Sequence, residues 1–259
     1  MIPYLDLPSF HVGAFEIQPF GVLVCIGIVV GTILAERRAR RVGLDPGVVR
    51  NFVRLSAVLG VFGSHVVDLA MNHPEQLRSD PWSLLRFWSG LSSFGGFICA
   101  ALAVIVYVRR RGIPLLPYAD VFMFGFFPMW FFARSGCATA HDHPGYLSDF
   151  FLAVKFPGGA RHDLGLYEAL LGFVWVPFMH WLGRKNDVND PPPGSILAAM
   201  VIAYSVPRFF LDFLREYDLR YFGLTFAQYG CVVFTALGAS FLIRLRARRR
   251  ASSMTKIRG

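Results

Sequence analysis

The sequence predicts an all-α, polytopic membrane protein with seven transmembrane helices, its N-terminus outside and its C-terminus in the cytoplasm. Three observations carry this. Of the 259 residues, 54% are hydrophobic and 26 are phenylalanine. Charged residues make up 17%, against roughly 25% in an ordinary soluble domain, so a soluble surface could not be covered. The apolar residues also gather in runs near the ~20 residues that cross a hydrocarbon core. In lipid such runs must be helical, because no solvent pairs a free backbone N–H or C=O.

The first run covers about residues 18–35 and precedes every Lys and Arg, the first being Arg37. Without a basic segment in front of it, it reads as a retained span and not a cleaved signal peptide. Further runs follow at about 51–71, 92–108, 115–138, 164–183, 195–213 and 225–243. The connections after the first, third and fifth, with the tail, hold 17 Lys and Arg, whereas the N-terminus and the other connections hold 6. Basic residues stay in the cytoplasm, and this sets the orientation. With no internal repeat or long linker, residues 1–259 read as one integral membrane domain ending in a basic cytoplasmic tail from about residue 244. The formal net charge of +9 sits in short clusters beside apolar runs. It therefore suits attraction to anionic lipid and not a nucleic-acid surface. Cys25, Cys99, Cys137 and Cys231 all lie in or beside apolar runs, as small hydrophobes do.

The stretch "FFARSGCATAHDHPG" (131–145) puts Arg134 inside the fourth run and a His-Asp-His cluster just beyond it. In "YSVPRFFLDFLRE" (204–216), Arg208, Asp212 and Arg215 share a helical face at spacings of 4 and 3, with Tyr204 one turn deeper and Pro207 expected to kink the helix. Tyr167 and Glu168 open the fifth run, and Gly95 and Gly96 lie near the start of the third. On the predicted topology these features share one depth, toward the outside. A buried cation costs about 2.5–3.5 kcal/mol on insertion scales, so it faces a cavity or a partner. Two arginines in one layer suit a phosphate, which a guanidinium grips at two oxygens, and a phospholipid head group is the phosphate at hand. The alternative is structural pairing of Arg134 and Arg208 with Asp142 and Asp212. Cys137, His141, Asp142 and His143 could also ligate a metal, or simply form an interfacial turn before Pro144-Gly145. The turn is the default, and no metal or organic cofactor is expected.

These stretches, with "PWSLLRFWSGLSSFGGFICA" (81–100) and "HDLGLYEALLG" (162–172), resemble the bacterial prolipoprotein diacylglyceryl transferases. The likeness runs from "IPYLDLP" to "LTFAQYG". It implies a multi-pass enzyme of the inner membrane, acting as a monomer, that moves diacylglyceryl from phosphatidylglycerol to the lipobox cysteine of a preprolipoprotein signal peptide. Arg134 and Arg208 then stand for the family's two essential arginines, and Tyr204, Gly136, Gly145, Tyr167 and Glu168 match residues of its motifs. Gly95, Gly96, Asp212 and Arg215 would complete the phospholipid site, and Asp142 stands where a glutamate is usual. Several polar family positions are apolar or small here: Phe94 for a histidine, Phe20 for a tyrosine, Gln18 and Phe62 for arginines, Cys137 for an asparagine. His141, beside Asp142, is the expected replacement for the missing proton acceptor. A relative that binds phospholipid or signal segments without transfer is the alternative reading.

Overall fold

The computed structural model describes every residue except 6, 14, 86–92, 190, 217–219 and 259. Its elements in chain order are β1 (Ile2–Pro3), β2 (Phe10–Val12), β3 (Phe15–Ile17), α1 (Pro19–Arg41), α2 (Pro46–Asn72), α3 (Pro74–Ser79), α4 (Ser93–Arg111) and α5 (Leu115–Ala140). They continue with β4 (Pro144–Leu147), β5 (Val154–Phe156), β6 (Gly159–Asp163), α6 (Leu164–Asn189), α7 (Ser195–Leu211), β7 (Arg220–Tyr221), β8 (Leu224–Thr225) and α8 (Phe226–Arg258). The expected runs thus form helices, and five of these are long and apolar enough to cross a membrane: Pro19–Arg41, Pro46–Ala70, Leu115–Ala140, Ser195–Leu214 and Phe226–Ala247. Helices α4 and α6 occupy the places of the expected third and fifth spans and are not among those five.

Local chemistry sets the boundaries. Pro19 opens α1, and Arg38, Arg40 and Arg41 close it against the negative end of its dipole. Asp45 caps α2, its side chain accepting from the Gly47 N–H at 2.8 Å. A capping box starts α8: Thr225 Oγ1 accepts from the Gln228 N–H at 3.2 Å, and Gln228 Oε1 accepts from the Thr225 N–H at 2.9 Å. Pro207 lies inside α7, which nevertheless continues as an α-helix to Leu211.

The chain divides into two compact units, Ala35–Phe122 and the remainder, Met1–Leu34 with Met123–Gly259. In the first, α2 and α4 are closely packed. A Cβ on Gly96 would stand 3.3 Å from the Gly60 carbonyl and 3.5 Å from Ser64 Cβ, so glycine lets the backbones approach. Gly95 faces Gly63 and Val67 in the same contact. Below it, Ala35, Ala39, Val49, Phe52 and Tyr118 form a buried core. The Phe94 side chain lies outside the described residues, as does the "RFWSGLS" part of the third motif.

In the second unit, α5 packs on α1 at Gly27, where a Cβ would be 2.9 Å from Phe132, and on α6 at Gly172, where it would be 3.0 Å from the Phe131 Cα. Gly238 of α8 rests on Ile202 of α7 in the same way. Phe124, Phe127, Met179, Ile196 and Met200 fill the core. Large side chains along α1 and α8, among them Val29, Ile33, Val233 and Leu237, are exposed. A water-facing helix would not present such a continuous apolar face.

An all-helical fold leaves no place for one feature of this unit. Strands β1, β5, β6 and β4 form a four-stranded sheet in that order, with β1 parallel to β5 and the other pairs antiparallel. Residues 144–163 therefore fold as a small sheet directly joining α5 to α6. This sheet holds the end of α5 and the start of α6 in a fixed relation.

Candidate functional site

Five elements of the second unit meet at a chain of buried charges. Arg134 comes from the penultimate turn of α5 and Glu168 from the start of α6. Arg208 is on α7, while Asp212 and Arg215 follow in the turn beyond it, and Thr225 belongs to β8. Glu168 is the node. Its side chain is 1% exposed; Oε1 accepts from Arg208 NH1 at 2.7 Å, and Oε2 lies 3.0 Å from Arg134 Nε. Arg215 NH2 is 4.0 Å from Oε1. Asp212, fully buried, pairs through Oδ1 with Arg208 NH2 at 3.1 Å and Arg215 Nε at 2.9 Å, and accepts from the Thr225 hydroxyl at Oδ2.

The order along the chain is thus Arg134, Glu168, Arg208, Asp212, Arg215. Three guanidinium groups share two carboxylates, which leaves one positive charge. Away from water this surplus is strongly felt, because charges there are poorly screened. An anion with a single negative charge and several acceptor oxygens would complete the balance.

Arg134 is held from two further sides. Its guanidinium carbon stacks 4.3 Å from the Trp130 ring centre, and NH1 donates to Cys137 Sγ at 3.8 Å. Trp130 meets the Tyr204 ring edge-on at 5.0 Å, so Tyr204 borders the arginines through that indole. Gly136 presses against Phe20, to which a Cβ would come within 2.8 Å. The aromatic ring at position 20 therefore packs on the signature glycine without offering a hydroxyl.

Gly145 of β4 forms a backbone bridge to Arg215. A side chain there would run into the Leu214 carbonyl oxygen, so only glycine lets the strand meet the Arg215 turn. The contact is fastened by Arg161 of β6, which donates to the Gly145 carbonyl at 3.1 Å and pairs with Glu216.

The His-Asp-His cluster splits up. His141 ends α5 in a left-handed conformation, φ 51°. Its ring stacks on Tyr4 with centres 4.2 Å apart; Nδ1 is 2.7 Å from Asp163 Oδ2 and Nε2 is 3.3 Å from the Leu5 carbonyl. Asp163 in turn caps α6 by accepting from the Leu166 N–H at 3.0 Å. His141 thus ties α5, α6 and the N-terminal segment together, with both ring nitrogens engaged. Asp142 is half exposed and lies 3.7 Å from His143. Burial pushes the His143 imidazole below its usual range, and Arg215 and Arg134 act in the same sense against Asp142 and Glu168.

Donor atoms of Cys137, Asp142 and His143 lie within 4.8 Å of one another. The set could in principle hold zinc. However, the Arg134 guanidinium already bonds the thiol, and Arg134 and Arg215 both place positive charge beside the imidazole. A dication would enter against that field, so the donor set does not fit a metal well.

Of the expected site residues, Arg134, Glu168, Arg208, Asp212 and Arg215 come together, with Tyr204, Gly136 and Gly145 around them. Tyr167 lies one residue before Glu168, its hydroxyl 2.8 Å from His162 Nδ1. Gly95 and Gly96 belong to the other unit, where they serve the packing of α4 on α2. Trp130, Arg161, Asp163, Thr225 and Glu216 were missed in the sequence. The signal for Thr225 was present as the Thr-x-x-Gln capping pattern; the others are recognised only by contacts distant in sequence.

Comparison with known proteins bears on this geometry. The prolipoprotein diacylglyceryl transferase family model matches residues 8–244. A phosphatidylglycerol–prolipoprotein diacylglyceryl transferase of Methylococcus capsulatus is 30% identical, covering 96% of this chain and 98% of the relative. That of Rhizobium leguminosarum bv. trifolii is 32% identical, over 96% and 94%. A third, of Allorhizobium ampelinum, is 28% identical over 99% and 96%. The match spans both compact units and every residue of the charge chain, and the chain belongs to the prolipoprotein diacylglyceryl transferase family.

Proposed function

We propose that this transferase moves diacylglyceryl from phosphatidylglycerol to the lipobox cysteine of a prolipoprotein, as a single integral domain of the bacterial inner membrane. In this reading all seven long helices span, with the N-terminus outside and the basic tail in the cytoplasm. The observation that carries the proposal is the chain of three arginines on two buried carboxylates, whose one unbalanced positive charge suits a phosphodiester.

The substrate thiol attacks the glycerol carbon that bears the phosphate. The carbon–sulfur bond forms as the carbon–oxygen bond breaks, and the electron pair leaves with glycerol 1-phosphate. Charge on the phosphate rises from one negative unit toward two during this step. Arg134 and Arg208 are already oriented by Glu168, so they stabilise the growing charge without reorganising. Asp212 and Thr225 fix Arg208 and Arg215 in the same way. No group from a cofactor is needed: the sulfur supplies the nucleophile and the phosphate is its own leaving group.

The test is transfer in membranes containing the full chain, labelled phosphatidylglycerol and a lipobox peptide. Thioether product with an equal amount of glycerol phosphate is expected. Retained phospholipid binding without either product would instead favour a relative that binds but does not transfer.

A further inference from the structure

The transfer needs somewhere for the thiol proton to go, and His141, the residue expected for this, has both ring nitrogens engaged. A different imidazole is better placed. His162 lies on β6 and Tyr167 in the first turn of α6, with Tyr167 Oη 2.8 Å from His162 Nδ1. Tyr167 is 8% exposed and immediately precedes Glu168, the node of the arginines. On its other side His162 packs beneath Gly145, where a Cβ would meet the His162 Cβ at 3.1 Å, and Gly145 is bridged to Arg215. The pair is therefore linked to the arginine site through the chain at Glu168 and through the backbone bridge of Gly145 to Arg215.

We propose that Tyr167 and His162 form the proton relay of the transfer: the tyrosine oxygen takes the proton of the substrate thiol while its own hydroxyl proton passes to His162 Nδ1. This rests on the thiol-transfer reading above. The S–H bond breaks and an O–H bond forms on Tyr167, whose former proton makes the new N–H bond on His162. The sulfur electron pair is freed for the glycerol carbon, and the partly exposed imidazolium later loses its proton to water. Tyr167 is the group that touches the substrate, and His162 acts through it.

The surroundings leave the imidazole able to accept. Strand alternation turns Arg161 and Asp163 to the opposite face, where Arg161 is committed to Glu216 and Asp163 to His141. From the segment before β5 the Phe150 ring lies at 6.0 Å, and β4 lays the backbone of Gly145 against the His162 Cβ. Among the described residues, Tyr167 is the titratable group that the hydrogen bonds place on the ring. Burial holds the imidazole below its ordinary range, and hence neutral at physiological pH.

The experiment compares wild type, His162→Ala and Tyr167→Phe in membranes, measuring thioether formation from pH 6 to 9 and phosphatidylglycerol binding by each. His162→Ala is expected to bind phospholipid normally, and both variants are expected to lose about 10²-fold or more in rate near neutrality, the usual worth of a general base. The deficit should shrink as pH rises through about 8.5, where a cysteine thiol ionises unaided. Added imidazole should restore part of the His162→Ala rate. Wild-type rates in both variants, or a deficit that stays constant with pH and ignores imidazole, would overturn the relay and leave the pair a packing role. A wild type that makes no thioether would overturn the transfer reading and the relay together, whereas the preceding outcomes strike the relay alone.

Discussion

Among the described residues, Glu36 and Glu168 each gather more than one arginine, and the two clusters are built on different terms. In the unit Ala35–Phe122, Glu36 pairs with Arg50 at 2.6 Å and Arg40 at 3.1 Å, and the arginine side chains are 44% and 60% exposed. In the other unit, Glu168 holds Arg134 and Arg208, whose side chains are 16% and 10% exposed. Water reaches the first cluster through its arginines, although the Glu36 side chain itself is 11% exposed, so those charges are partly screened and contribute less. In the second, each guanidinium has given up water and depends on a carboxylate in return. Identical residue types thus form a clasp with water-facing arginines in one place and a buried chain of charges in the other. The difference lies in solvent, and in the surplus of one cation that only the buried chain cannot dissipate.

Removing the node should separate the two most sharply. Glu168→Ala leaves three buried cations on one carboxylate and is expected to cost about 3–5 kcal/mol, the range for breaking a buried pair, read as a large fall in the heat-unfolding midpoint in detergent. Equal midpoints for Glu168→Ala and wild type would erase the contrast. Next in size is Gly145→Ala, which pushes a methyl into the Leu214 carbonyl and should cost about 1–3 kcal/mol, as overpacking does. Because Gly145 is tied to the Arg215 turn, transfer should weaken as well, and a variant with wild-type stability and rate would show that the strand can yield.

A smaller effect comes from pH. His143 and His162 both have their imidazoles held below the usual range by burial. The unfolded chain therefore takes up protons first as pH falls below about 6.5, the ordinary imidazole value. Stability should decline through that window until the folded-state histidines also protonate, and remain level above it. His143→Gln should flatten part of the decline in the unfolding midpoint against pH; an unchanged slope would mean the ring is already solvated. The smallest effect is expected from Glu36→Gln, whose arginine partners face water, so its midpoint shift should be a minor fraction of that for Glu168→Ala. A shift of similar size would contradict the distinction.

What the sequence made legible follows the range of the forces involved. The run at 115–138 became Leu115–Ala140 and the run at 195–213 became Ser195–Leu211, because lipid-crossing length and helix period are local properties. The Arg208–Asp212–Arg215 face was legible for the same reason, as helical spacing alone brings these groups together. Glu168 was visible as a candidate, but its partners were not. Arg134 lies 34 residues before it and Arg208 lies 40 after it, and only the packing of α5, α6 and α7 brings them to one carboxylate. Of the alternative pairings, Arg208 does meet Asp212, whereas Arg134 pairs with Glu168, and Asp142 lies beyond the helix end, half exposed beside His143. The sheet formed by β1, β5, β6 and β4 was hidden by its brevity, since strands of 2 to 5 residues carry too little alternation to read. His141 looked like a free base in sequence because Tyr4, Leu5 and Asp163, which occupy it, come from distant segments.

The most direct test of the central claim is thioether formation by Arg134→Ala and Arg208→Ala beside wild type, with folding of each variant checked by its unfolding midpoint. Removing one preorganised donor from a developing negative charge typically costs about 10²–10³ in rate, so folded variants of both kinds should lose at least that much. A folded variant of either arginine that transfers at the wild-type rate would contradict the assignment of the buried charge chain as the phosphate site.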